Sequence, residues 1–187
     1  MKKLLRCAAA ALAALLVCAG WAAVAEPGDA LPGLNHFTAA TLWGEPFTEA
    51  DLAGADLTVV NIWSVTCGPC IQEMPELAAF GRALPENVRL IGICYDAYLD
   101  EDGVKDFLEQ LGFEGATLTG GDGDFTALMN EVLYTPTTLF LDAEGNPAAL
   151  PLIGSPENVE ETYLALVNEA LTSLGKPVIA LEAEDGQ

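Results

Sequence analysis

Short apolar runs alternate with helical stripes along this chain. Leu57-Thr-Val-Val-Asn-Ile-Trp63 is a β-rich run of the kind shown by a strand buried on both faces. Val88–Tyr95 is a second such run. Thr137–Asp142 is a third, followed by the turn signal Ala143-Glu-Gly-Asn146 and an expected hairpin partner at Ala148–Ile153. Between the first two runs, Ile71, Met74, Leu77, Ala78 and Leu84 recur at helical spacing, and Pro75 is expected to kink that helix. Val104, Phe107, Leu108 and Leu111 mark a second amphipathic helix, Phe125–Leu133 a third and Val159–Leu174 a fourth. Ala116-Thr-Leu118 reads as a short edge strand, and Phe37–Leu52 as an N-terminal hairpin with a turn of helix. Strands separated by helices predict an α/β sandwich around a mixed sheet.

The first residues follow a different pattern. Met1-Lys2-Lys3 and Arg6 form a basic start, Cys7 to Ala25 is almost wholly apolar, and Ala23-Val24-Ala25 supplies a small-x-small site before Glu26. This predicts a signal segment over 1–25, cleaved after Ala25, and a folded domain over 26–176 outside the cytoplasmic membrane. The rival is an uncleaved anchor, since the apolar stretch is of a length that spans a bilayer as a helix. Lipid attachment at Cys18 is disfavoured by Val17 before it. The acidic tail, 177–187, is expected to be flexible.

Charge narrows the choice of partner. The whole chain carries 28 acidic side chains and seven cations, a net charge of −21, and three of the seven cations lie in the signal segment. Such a surface repels nucleic acid and anionic headgroups and provides no phosphate-binding patch. Cys67, Cys70 and Cys94 remain after cleavage, an odd number, which excludes a fully paired disulfide framework within one chain.

Cys67-Gly68-Pro69-Cys70 falls at the end of the first buried strand and the start of the first helix. Ligands gather beyond the carboxyl ends of strands in such sheets. A helix N-terminus favours thiolate over thiol through its free N–H groups and the positive end of its dipole. A cysteine in a Cys-x-x-Cys at such a terminus falls from about 8.5 to roughly 3.5–7.5. Cys67 is therefore the expected attacking sulfur, and Cys70, one turn into the helix, the resolving thiol. Pro69 suits an early helical position. Zinc would need two more ligands, and only Cys94 and His36 are on offer, neither in a second paired motif. No metal is expected. A purely structural staple closes too short a loop to stabilise much.

With these residues in place, the chain resembles the thioredoxin superfamily, and within it the exported TlpA/ResA-like thiol–disulfide oxidoreductases, from about Gly33 to Leu174. "VVNIWSVTCGPCIQEMPEL" is similar to that family's active-site strand and helix, with Asn61 where cytoplasmic thioredoxins carry a buried aspartate. "YTPTTLFLDAEGNPA" resembles the loop before its cis-proline, its next strand and its hairpin turn, and Val104–Leu118 resembles its inserted helix and strand. The resemblance implies a three-layer thioredoxin-like sandwich and an enzyme with no bound cofactor. It also implies that Thr135-Pro136 forms a cis peptide opposite Cys67, where the Thr135 backbone pairs with an extended substrate. Thr66, Gly68 and Pro69 would line the same substrate site. Glu73 holds the position of the family's acid, on Cys70's face of the helix at i, i+3, where it would take the Cys70 proton. Expected partners are exported proteins with disulfides, apocytochrome c among them, and a membrane electron donor. The protein is expected to be a monomer.

Thr66 departs from the family, which carries tryptophan before the first cysteine, so substrate preference does not carry over. Trp63 reads as core, Cys94 as a buried inert thiol with a third redox thiol as the alternative, and His36 as a surface residue. The Gly-Pro dipeptide leaves the thiolate without the stabilisation that a histidine there gives strong oxidants, so the expected direction is reduction of disulfides. Alternatives are a disulfide donor or isomerase, a thiol peroxidase of the redoxin type, with Ser64 where such enzymes carry threonine, and an acidic binding module using the disulfide only as a clasp.

Overall fold

The computed structural model describes residues 31–181, so the expected signal segment and the last residues of the tail lie outside it. In chain order the elements are β1 (Phe37–Thr41), β2 (Pro46–Thr48), α1 (Glu49–Leu52), β3 (Leu57–Trp63), α2 (Gly68–Ala83), β4 (Val88–Cys94), α3 (Glu101–Leu111), β5 (Thr117–Gly123), α4 (Asp124–Glu131), β6 (Thr137–Asp142), β7 (Leu152–Ile153) and α5 (Val159–Ser173). A 3-10 turn, Ala97–Leu99, precedes α3. The strands form one mixed sheet in the order β2-β1-β5-β4-β3-β6-β7. β3 and β4 are parallel, as are β4 and β5, while β3–β6, β1–β5 and both outer pairs are antiparallel.

The central strands are apolar on both sides because helices cover both sides. Every residue of β3 is buried. Leu57, Val59 and Trp63 point into a core shared with Met74, Leu77 and Phe80 of α2 and with Tyr163 and Val167 of α5. Val60 and Ile62 point into a second core with Leu52, Phe125 and Leu128. This alternation, period two along the strand, makes the three-layer α/β sandwich that the pattern predicts. It also fixes the face of Asn61, which lies between Val59 and Trp63 in register and so turns toward α2 and α5.

Three elements differ from expectation. The segment read as an edge strand at Ala116–Leu118 is longer, Thr117–Gly123, and interior, lying between β4 and β1. Its Gly120-Gly121 pair hid it, and the same glycines permit it: a Cβ on Gly121 would collide with the Thr38 carbonyl of β1. The third helix ends at Glu131 rather than Leu133, because the chain must leave helical geometry before Thr135-Pro136. The partner of β6 is interrupted. Leu141 bridges Pro147 and Ala148 donates to Phe140, but strand pairing resumes only at Leu152–Ile153, since Pro147 and Pro151 have no N–H to give.

Pro75 lies inside α2 and leaves the Ile71 carbonyl without its helical partner. The Asn168 side chain of α5 donates to the Ile179 carbonyl at 3.0 Å and accepts its N–H at 2.7 Å.

Candidate active site

The carboxyl ends of β3 and β4 and the loop before β6 meet at one edge of the sheet. Cys67 is the N-cap of α2, with extended backbone (φ −89°, ψ 102°), and Pro69 occupies the first turn, where its missing N–H costs nothing. Cys67 and Cys70 are joined by a disulfide, with Cα atoms 5.3 Å apart. Cys67 Sγ accepts the Cys70 N–H at 3.2 Å, so a free backbone donor of the helix start points at this sulfur. Cys67 is half-buried, Gly68 and Pro69 are exposed, and Cys70 is 0% exposed.

Across from the disulfide, the Thr135-Pro136 peptide is cis, and the Thr135 carbonyl oxygen lies 3.4 Å from Cys67 Sγ. The Thr137 hydroxyl holds this loop by donating to the Tyr134 carbonyl at 2.8 Å, and the Gly154 N–H donates to Pro136 O at 2.8 Å. The structure thus brings Cys67, Gly68, Pro69 and Thr135-Pro136 to one surface, with exposed Thr66 at its rim. Two clefts flank Tyr134. One, about 360 Å³, is walled by Leu31, Leu133, Leu150 and Ile153, and the other, about 280 Å³, by Tyr95, Met129 and Thr135. Leu133 is 80% exposed and Tyr134 68%, large apolar side chains facing water beside the cis peptide.

Behind Cys70 lies a buried polar cluster. The Asn61 amide nitrogen is 3.0 Å from Glu73 Oε1, 3.1 Å from Thr138 Oγ1 and 3.3 Å from the Tyr163 hydroxyl, and those two hydroxyls are 2.9 Å apart. Glu73 is 2% exposed, and its Oε2 has no hydrogen-bond partner. Burial pushes the Glu73 carboxyl above the usual carboxylate range, against the moderating Ser155 hydroxyl and Asn61 amide. Burial, aided by the charge of Glu73, also pushes the Tyr163 phenol up. Tyr163 and Thr138 were not singled out in the sequence, where each reads as an ordinary core position of a helix or strand.

Asp96 is a third residue that the sequence does not flag. It is one of 28 acidic side chains, yet it is 6% exposed, at the active-site edge just past β4. Its Oδ2 accepts the Ser64 hydroxyl at 2.7 Å and its Oδ1 the Val65 N–H at 3.0 Å. Position past the end of a buried strand was the signal that could have found it. Cys94 is fully buried and donates its thiol to Asp96 Oδ1 at 3.7 Å; burial first, then the Asp96 charge, pushes it up to about 12. Trp63 is core, 1% exposed, and His36 is exposed.

A sandwich of this topology, with a cysteine pair at the start of the helix after a central strand and a cis-proline loop against it, is the thioredoxin-like arrangement. The chain belongs to the redoxin family, whose model matches residues 26–166. It is similar to the thiol:disulfide interchange protein HelX of Rhodobacter capsulatus, 28% identical over 100 residues, 54% of this chain and 54% of that protein. It is 33% identical to the soluble secreted antigen MPT53 of Mycobacterium tuberculosis over 110 residues, 59% of this chain and 61% of that one. The chain therefore matches little more than half the length of these curated relatives. A crystal structure of a secreted Mycobacterium tuberculosis disulfide oxidoreductase homologous to Escherichia coli DsbE matches with a TM-score of 0.56 and 26% identity, over 72% of this chain and 94% of that one.

Proposed function

We propose that this chain is an extracytoplasmic thiol–disulfide oxidoreductase that reduces disulfides in exported polypeptides, with Cys67 attacking and Cys70 resolving. The observation that carries the reading is the unequal setting of the two sulfurs: Cys67 half-exposed at the helix N-terminus, Cys70 sealed behind it. In the reduced enzyme the Cys67 thiolate attacks one sulfur of a substrate disulfide, forming a mixed disulfide and releasing the other substrate sulfur as thiolate. Cys70 then loses its proton to the Glu73 carboxylate and attacks Cys67 Sγ. The second substrate sulfur leaves and the Cys67–Cys70 disulfide forms. Two electrons have passed to the substrate, and a membrane thiol–disulfide donor returns them.

The buried Glu73, with its raised affinity for a proton and its unpaired Oε2, supports the role of proton acceptor. The Thr135 backbone and the exposed Thr66, Gly68 and Pro69 form the contact surface for an extended substrate, with the apolar clefts beside Tyr134 receiving its side chains. Location outside the cytoplasmic membrane rests on the signal segment expected over 1–25 and on likeness to a soluble secreted antigen. Proteins of cytochrome c maturation are the substrate class that the family resemblance offers first.

A thiol peroxidase needs a cation beside its sulfur, and neither arginine among the described residues is near. Arg82 ends α2, about 20 Å of helix from Cys67, and donates to the Leu111 and Gly112 carbonyls. Arg89 is at the opposite end of β4 and donates to Asp51 O. The test is catalysed reduction of a disulfide polypeptide such as insulin by the domain with dithiothreitol as donor, run beside hydrogen peroxide consumption. Faster insulin reduction without peroxide turnover is the expected result. Peroxide turnover without insulin reduction overturns the reading.

A further inference from the structure

The three residues between β3 and Cys67 have their own scaffold, which the exchange mechanism above does not use. The Asp96 carboxylate accepts from Ser64 Oγ and from the Val65 N–H, so both of its oxygens are engaged with this loop. Ser64 is 1% exposed. Its single hydroxyl hydrogen is directed to Asp96, which leaves its oxygen to accept the Thr66 N–H at 3.1 Å and the Thr66 hydroxyl at 2.9 Å. The Ser64 carbonyl in turn accepts the Cys67 N–H at 3.2 Å. A chain of hydrogen bonds therefore runs from a buried carboxylate to the backbone of the attacking cysteine and to the side chain just before it. Cys94 closes the far side: its thiol stays protonated and donates to Asp96 rather than competing with it.

We propose that Asp96 is the positioning residue of Cys67, acting through Ser64 and the Val65 N–H to fix the loop that sets the sulfur at the start of α2, and through Ser64 to orient the Thr66 hydroxyl beside it. This rests on Cys67 being the reactive sulfur. Thr66, which stands where the resembled family has tryptophan, is thus a polar rim held by the relay rather than a platform lost. A charged acceptor holds such a loop more firmly than a neutral one, because charge-assisted hydrogen bonds are roughly twice as strong.

The experiment follows the rate at which Cys67 of the reduced domain is alkylated by iodoacetamide, mapped by peptide mass across pH, in Asp96→Asn, Ser64→Ala, their double variant and Thr66→Val. Alkylation reads the setting of the sulfur whether or not the protein reduces disulfides, so failure of the proposed function and failure of this inference are separable. Loss of position by a fraction of a bond length lowers reactivity steeply. The expected result is a fall of about tenfold in Ser64→Ala and in Asp96→Asn, with the double variant no slower than the worse single one. Thr66→Val, at an exposed site where folding is not at stake, should fall about threefold. If Asp96→Asn does not fold, Ser64→Ala and Thr66→Val decide alone. Rates within twofold of the parent, with only a lower melting temperature, overturn the proposal and leave Asp96 a structural residue. Losses that multiply in the double variant overturn it as well, since residues of one relay do not act independently.

Discussion

The two cysteines of the pair rest on two polar clusters of opposite character. In front of Cys67, Asp96 has both oxygens paired and the Ser64 hydroxyl is shared in a closed relay. Behind Cys70, the Asn61 amide is spread over three acceptors, and Glu73 Oε2 and Asn61 Oδ1 have no partner. A fully satisfied buried network holds shape, whereas a buried polar atom without a partner is costly to keep. The front cluster is built to stay as it is. The rear one holds a buried carboxyl whose Oε2 is unpaired and whose affinity for a proton burial raises, which is the property the proposed resolving step needs.

The largest effects should come from the sulfurs themselves. Cys67→Ser should abolish insulin reduction, a loss of at least about a thousandfold, whereas Cys70→Ser should still attack and accumulate as a mixed disulfide visible on a non-reducing gel. Equal, complete inertness of both variants would break the assignment of front and rear. Next, Glu73→Gln should slow release of substrate from the mixed disulfide by about a hundredfold while leaving the first attack nearly unchanged, as single-turnover kinetics would resolve.

The same substitution tests the burial of Glu73. Its folded value lies above its unfolded one, so the native state holds more protons in the window between them. Its contribution to stability is therefore present below the ordinary glutamate value and is lost as pH rises through the raised one. Relative to Glu73→Gln, the parent domain should lose denaturation free energy as pH climbs through that window; a constant difference would contradict the burial argument.

Smaller effects belong to the rim. Tyr134→Ser should raise KM for a polypeptide substrate several-fold with little change in kcat, because it removes apolar contact made equally before and during reaction. The smallest is at Cys94. With its thiol pushed up to about 12, it should resist iodoacetamide at pH 8 until the protein is unfolded. Cys94→Ala should leave exchange rates unchanged at a cost of about 1 kcal/mol in stability.

Local chemistry was the legible part of the sequence. The apolar runs at Leu57–Trp63 and Val88–Tyr95, the cysteines at a strand–helix junction, and the Thr-Pro before a strand each carry their signal within a few residues. What stayed hidden depends on residues far apart. Asp96 meets Ser64 across 32 positions, and Tyr163 meets Asn61 across 102, so no local pattern marks either. Helical spacing put Glu73 on the face of Cys70, but its burial depends on β3, β6 and α5 closing over it. The sequence reads β5 as an edge because glycines carry no hydrophobic pattern, and its neighbour β1 is about eighty residues earlier in the chain.

The reduction potential of the Cys67–Cys70 pair, read by tryptophan fluorescence in thiol–disulfide buffers, tests the central claim most directly. The account predicts a value near the thioredoxin end of the scale, about −270 mV, because Gly-Pro adds no charge to favour the thiolate. A value near about −120 mV, that of a strong oxidant, would contradict it and make the protein a disulfide donor.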